Sequence, residues 1–456
     1  MSNYTMFTAS SNPRLDDNTV LITHDLAEMF GLQHADKINI YVGQLKKHLR
    51  IAKRNSDQLK KGMAFNPGVL KRLYLQQDQS YGIKKDINGL HLGPVVGITA
   101  ELLNDPAKPF GGQSFFFQQL LNAGKELGEI CFAFNPNSIN WSKGTVIGYT
   151  YGKKGWIKNT YPIPDVIYPR ERAYAAANHN GFRKRLEKAG TRFFNPPLVG
   201  KWETHLIMSK NPELARYLPD TRLIKNFSQV ENMINKYKAV YLKPVSGSRG
   251  KNIIRVIKRK NSPGYEYQYE LNSLTVKGNA PTLNRLQSSL KRVMGNRSYI
   301  IQKQINLLKT DGNIIDVRIL VQKNQLGKWE NTGIACRVGK RGSITSNISS
   351  GGSGRKLESV LRRHFEDENT RAKILQEIHY LAIESAVTLE KVIGQSGEMG
   401  VDIGIDKDGK VWFIETNLRP ARHIFLLIGE QETRLKTVEM PMLYLRYLAG
   451  FASKER

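Results

Sequence analysis

The sequence predicts an α/β protein with three parts: a small β-rich domain, an α/β layer and a larger α+β domain. Three observations carry that prediction. The first 90 residues hold short strand-like pieces and one short helix. Beyond residue 93, short apolar runs of the buried-strand type alternate with helical stretches. Near the C-terminus, Asp408-Gly409 sits between two apolar runs, a strong hairpin signal. At roughly 150 residues per domain, 456 residues make about two to four domains. The expected boundaries are 1–90, 91–194 and 195–456.

In the first part, residues 20–23 (VLIT) read as a strand and residues 25–30 as a short helix ending at Gly31. Residues 37–42 alternate as a half-buried strand does. Residues 43–64 are very basic (LKKHLRIAKR, then LKK) and read as a solvated face or as a docking surface for an anion. In the second part, 94–99, 129–134 and 165–168 read as buried strands, and 114–127 and 181–188 as helices. In the third part, a helix over 203–208 leads to the segment 211–218. Strands follow at 239–243, 253–257, 299–305, 314–322 and 331–337. A long helix is expected over 368–392, a hairpin over 401–415 and a last helix over 434–449.

Composition narrows the function. The hydrophobic fraction of 40% is enough for packed cores, so a disordered chain is excluded. Lys+Arg number 69 against 40 Asp+Glu, a formal net charge of +29, which favours an acidic partner. Cys131 and Cys336 are the sole cysteines, too few for a disulfide framework or an all-cysteine zinc site. The N-terminus lacks a basic start followed by an apolar block, and no run approaches the ~20 apolar residues that cross a bilayer. A cytoplasmic protein is expected.

The sharpest chemical feature is the segment GVDIGIDKDGKVWFIETN at 400–417. Asp402 lies early on the first strand, and Glu415 and Asn417 late on the second. Pairing across Asp408-Gly409 brings them together, and Glu415 and Asn417, two apart, share a face. Two carboxylates and an amide oxygen form a hard, oxygen-rich site of the kind magnesium occupies with phosphates. A surface hairpin with solvent-facing acids is the plainer alternative; the apolar flanks, Val411 to Ile414, put these acids at the rim of a core instead. Asp406 and Asp408 read as turn residues.

A strand ending at Lys243 precedes the loop Ser246, Gly247, Ser248, Arg249, Gly250. Such glycines let a backbone approach a ligand closely, and exposed N–H groups cradle phosphate oxygens. It is not a P-loop, because it joins two strands rather than opening a helix. A plain hairpin would look similar. Lys201 precedes a helix, and Arg318 in Asp316-Val-Arg-Ile is either a phosphate ligand or half of a surface ion pair. A second small-residue loop at 346–354, with Arg337, Lys340, Arg341 and Arg355 around it, reads as an anion-facing lid or a linker.

Taken in order, these segments resemble the ATP-grasp superfamily over roughly 195–430, and within it the endospore coat-associated YheC/YheD family. The carrying stretches are KWETHLIMSKN at 201–211, YLKPVSGSRGKNI at 241–253, DVRILVQ at 316–322, SNISSGG at 346–352 and GVDIGIDKDGKVWFIETNLRP at 400–420. The resemblance implies a small β domain, an α/β pre-grasp domain and an ATP-grasp domain of two α+β subdomains. It implies ATP and Mg2+ as cofactors, with Asp402, Glu415 and Asn417 holding the metal. Lys201 and Lys243 would bind nucleotide phosphates, together with the loop residues Ser246, Gly247, Ser248 and Gly250. The stretch Gln302, Lys303, Gln304 and Ile305 would receive adenine, Asp316 the ribose, and Arg318 a phosphate or acyl-phosphate, so that Arg318 and Lys243 are the catalytic pair. Asn347 and Gly351-Gly352 would cover the site. Two departures stand out: the hinge residue Gln302 is neutral where an acid is usual, and Lys251 stands where a glycine is common.

The implied activity is a carboxylate–amine (or carboxylate–thiol) ligase acting through an acyl-phosphate, on carboxylate and amine substrates that include an acidic peptide, with spore coat proteins as partners. Two alternatives remain open at this level: a nucleotide-binding coat component without ligase chemistry, and a nucleic-acid-binding protein prompted by the charge. No nucleic-acid motif supports the last.

Overall fold

The computed structural model describes every residue except 1–3, 55–61, 172–179, 198, 248–249, 272–273, 347, 349–350 and 452–456. Ser248, Asn347 and part of the basic run near 55–61 therefore lie outside the described residues. The chain forms two compact units. One comprises Met1–Pro196, Lys323–Lys328 and Val438–Arg456, the other Pro197–Gln322 and Trp329–Thr437. The sequence predicts divisions near 90 and 194, with 195–456 as one domain. The contacts group 1–196 with the segment from Val438, and within that group the barrel ends at Gly93 and the next sheet begins at Val95.

The first unit begins with a closed barrel. Around it run Tyr4–Ser11, Gly62–Phe65, Thr19–Thr23, Leu45–Arg54, Lys37–Val42, Gly89–Gly93 and Gln79–Asp86, the last pairing back onto the first. Alternation fills it: Phe7 and Ala9, Val20 and Ile22, Ile40 and Val42, and Leu90 and Leu92 are buried. The basic run thus belongs to a barrel strand. Lys46, His48 and Arg50 are exposed while Leu49 is buried, so its charges occupy the outer face at period two.

Also in this unit is a sheet with a parallel centre of Ile130–Phe134, Val95–Thr99, Val166–Pro169 and Arg192–Phe193. An antiparallel hairpin, Thr145–Gly152 with Gly155–Pro162, extends it. The helix Ser114–Glu126 buries Phe117, Leu120 and Leu121 in one core with Val438, Met442, Tyr444, Leu445 and Leu448.

The second unit holds two sheets. The first runs Thr221–Leu223, Tyr299–Lys303, Ala239–Pro244, Ile254–Lys258, Tyr265–Leu271, Leu274–Ala280. Its apolar face (Val240, Leu242, Ile254, Val256, Ile301) packs with residues of the helices Ser228–Tyr237 and Leu283–Met294. The second sheet runs Ser353–Arg355, Trp329–Val338, Asn313–Lys323, Glu398–Ile405, Val411–Asn417. Val317, Ile319, Cys336, Val401 and Ile403 form its apolar face, in one core with Ile378, Leu381 and Leu389 of the long helix Glu368–Ile393. Alternation then puts Asp316, Arg318, Arg337 and Asp402 on the opposite face.

Candidate active site

The hairpin brings its acids together by an irregular register. Ile403 pairs with Phe413, but Asp402 pairs with Glu415, so Ile414 is an extra residue in the second strand. Phe413 belongs to the helix-covered core. Strict alternation would return Glu415 to that face; the bulge sets it opposite Asp402 instead. Gly400 pairs with Asn417, and the Asn417 amide donates to Glu415 Oε1 at 3.4 Å. The turn is organised by Asp406, whose carboxylate accepts from the Asp408 and Lys410 N–H groups and from Trp412 Nε1.

Asp402 is 1% exposed. Arg318 grips both its oxygens, one through Nε and the other through Nη2 at 2.9 Å, and Arg337 Nη2 reaches Oδ2 at 2.7 Å. Arg337 also clamps both oxygens of Asp316, with Nε at 2.7 Å from Oδ1. Burial opposes the charged form of Asp402, but Arg318 and Arg337 outweigh it and hold the carboxyl below its ordinary value. Burial likewise opposes charge on Arg337, and Asp316 and Asp402 more than compensate.

Lys201 opens the helix Lys201–Ser209. Its Nζ donates to the Gly247 carbonyl at 2.8 Å and lies 3.4 Å from Glu415 Oε2. One ammonium thereby joins the glycine loop to the hairpin. In that loop Ser246 and Gly247 are exposed, and Gly247 and Gly250 have φ of +139° and +69°, which an L side chain rarely adopts. Lys243 Nζ donates to Gln302 Oε1 at 2.6 Å. Burial pushes its ammonium down to about 8, against the opposing pull of Glu415.

The structure gives the other expected site residues partners of their own. Asp316, assigned to ribose, is 3% exposed, with its carboxylate closed by Arg337. Arg318, assigned to a phosphate, gives two of its five N–H donors to Asp402. Along 302–305, the Lys303 N–H donates to Asp220 O and the Gln304 N–H to Ala239 O, so neither is left for adenine, and the Ile305 carbonyl accepts from Leu307. The Lys303 ammonium lies over the rings of Tyr237 and Trp412. Part of the small-residue loop, Ser353–Arg355, is an edge strand. Before it, Gly342 and Ile344 carbonyls accept from Gln268 and the Tyr241 hydroxyl, and the Ser343 hydroxyl donates to Glu270.

The sequence reading puts Arg337 only in the basic rim of the 346–354 loop. Its signal was a lone charge inside the apolar ACRV, opposite an Asp and an Arg two apart inside DVRILV.

The donor set fits a magnesium ion in part. Among the described residues no three His, Cys, Asp or Glu side chains form a metal cage. Magnesium bound through one or two carboxylates and substrate phosphates needs none. Glu415 and Asn417 are half-buried, and the Glu415 oxygens have only long contacts of 3.4 Å, to the Asn417 amide and to Lys201, whereas the buried Asp402 oxygens serve two guanidinium groups at close range.

Two α+β layers, with paired lysines beside a glycine loop and a carboxylate hairpin, make an ATP-grasp domain. A family model described as YheC/D like ATP-grasp matches residues 190–448, more than half of the chain, and the chain belongs to that family. The endospore coat-associated protein YheD of Bacillus subtilis (strain 168) is 30% identical over 342 residues, 74% of either chain. The endospore coat-associated protein YheC of the same organism is 25% identical over 347 residues, 74% of this chain and 93% of that one. Among solved structures, D-cycloserine synthetase DcsG has a TM-score of 0.46 at 14% identity, over 76% of this chain and 99% of that one.

Proposed function

We propose that the protein is an ATP-dependent ligase that joins a carboxylate to an amine. The observation that carries this reading is the Lys201 ammonium between the Gly247 carbonyl and the Glu415 carboxylate. Loop, lysine and hairpin there form one anion-facing cluster. Lys201 and Lys243 would neutralise phosphate oxygens as the γ-phosphoryl group moves to the substrate carboxylate, forming an acyl-phosphate and ADP. The amine then attacks the acyl carbon, the amide forms, and phosphate leaves with the C–O electron pair. Glu415 and Asn417 would hold magnesium, which supplies charge neutralisation on the phosphates. Catalysis of this kind is chiefly positioning and electrostatics, and the protein needs no covalent nucleophile.

The net charge of +29 favours an acidic acceptor such as a glutamate-rich peptide. The printed names of YheD and YheC, both endospore coat-associated, extend the proposal to work at the spore coat. No helix among the described residues is long and apolar enough to cross a membrane.

The test is ADP release with magnesium and ATP across acidic peptides and free amino acids, followed by product mass. Turnover should appear with one acceptor class and vanish in Glu415→Ala, with the thermal melt retained. Unchanged turnover in that variant would remove the site. Nucleotide binding without ADP release on any acceptor would favour a non-catalytic coat component.

A further inference from the structure

The first sheet of the second unit carries a polar chain on the face opposite its helices. Gln302 pairs with Thr221 on one side and Tyr241 on the other, and Lys243, two residues on from Tyr241, shares that face. The Thr221 hydroxyl donates to the Pro219 carbonyl at 2.7 Å. Its single proton is thus committed, and toward Gln302 it can only accept. Gln302 Nε2 donates to it at 2.9 Å, which turns Oε1 to Lys243 Nζ at 2.6 Å.

We infer that Gln302, held in one orientation by Thr221, is a positioning residue that aims the Lys243 ammonium into the site. The assignment of that ammonium to nucleotide phosphates rests on the proposed function; the orienting chain does not. An ammonium has three donors, and one amide oxygen takes one of them. The acceptor is neutral, so the positive charge stays available to an anionic ligand. A carboxylate at position 302 would bind the same proton, cancel the charge and compete with phosphate. The neutral hinge residue, odd when read from sequence, becomes a way of keeping this lysine aimed but uncancelled. The other charged groups facing Lys243 are Glu415, Lys201, Asp316 and Asp402. Of these, Asp316 and Asp402 are already paired with arginines.

The experiment uses the full chain with 13C-labelled lysine, following the Lys243 Cε resonance from pH 6 to 11 in wild type, Gln302→Glu, Thr221→Val and Thr221→Ser. The Lys243 transition should move upward in Gln302→Glu, where a carboxylate replaces the amide. It should move downward in Thr221→Val, where the amide is free to turn its NH2 toward the lysine, and return in Thr221→Ser. Magnesium–ATP affinity by calorimetry is the second arm. It should fall roughly tenfold in Thr221→Val, as for one lost hydrogen bond to a charged group, and recover in Thr221→Ser. A Lys243 transition unmoved in both Gln302→Glu and Thr221→Val overturns the inference. Wild-type protein that binds no magnesium–ATP overturns the functional reading, and the titration still decides the orienting role.

Discussion

Arg337 is one side chain with two buried acids to serve, Asp316 and Asp402. Replacing it by Met keeps the bulk and removes the charge. Asp316 then stays buried without its partner, so Arg337→Met should cost about 3–5 kcal/mol, read as a lower urea midpoint. A midpoint within error of wild type would mean that water or another cation takes over. Glu129 poses the opposite case, a buried acid whose Oε2 accepts from the Cys131 thiol at 3.3 Å. Burial pushes it up to about 8, against the pull of Cys131 and Arg446. The unfolded chain ionises Glu129 near its ordinary value while the folded chain keeps the proton. The folded state therefore loses relative stability as pH rises from about 5 to 8. Glu129→Gln lacks this penalty, so its melting temperature should gain on wild type across that window. A pH-independent difference would contradict the assignment. Residue identities were legible in the sequence, and pairings were not: the lysines and hairpin acids could be named, but nothing local said that Arg318 and Arg337 close on Asp402.

Gly400 shows how a strand makes room for its neighbour. A Cβ there would lie 2.8 Å from Pro420 Cβ and 3.4 Å from Arg318 Cδ. Gly400→Ala should push Pro420, three residues beyond Asn417, away from the strand, at about 1–3 kcal/mol for overpacking, with reduced ADP release in the ligase assay. Full stability and full turnover together would show that the strand yields without loss. The hairpin itself was legible because its turn signal is local: Asp408-Gly409 between apolar runs. Its bulge was not, since an extra Ile414 looks like any strand residue, yet it decides which face Glu415 occupies. The strands Tyr265–Leu271 and Leu274–Ala280 are absent from the sequence reading although YEYQYEL alternates aromatic and polar residues at period two, so that hairpin was legible and its signal was passed over. The strand Leu45–Arg54 was hidden by its charges, since an outer barrel face reads like a solvated run.

At the scale of the molecule, the α/β class followed from alternating apolar runs, whereas barrel closure joins Tyr4–Ser11 to Gln79–Asp86 by pairing too distant for any local pattern. The return of Val438–Arg456 to the first unit was equally invisible, because a helix does not name the surface that its apolar residues cover. A chain ending at Thr437 would strip Val438, Met442, Tyr444, Leu445 and Leu448 from the core around Phe117 and Leu121. At about 1.5–3 kcal/mol per large apolar side chain, the loss approaches about 10 kcal/mol, comparable with the whole stability of a domain. The truncated chain should lose a cooperative melting transition. An unaltered two-unit melt would show that the first unit closes its core unaided.

That same tail imposes an order on biosynthesis. On a translating ribosome the barrel and the parallel sheet emerge early, yet the hydrophobic side chains that seal the sheet follow the whole second unit in the chain. The first 196 residues must wait with an apolar flank uncovered until Val438–Leu448 emerge, which makes them a natural client for a holding chaperone in that interval.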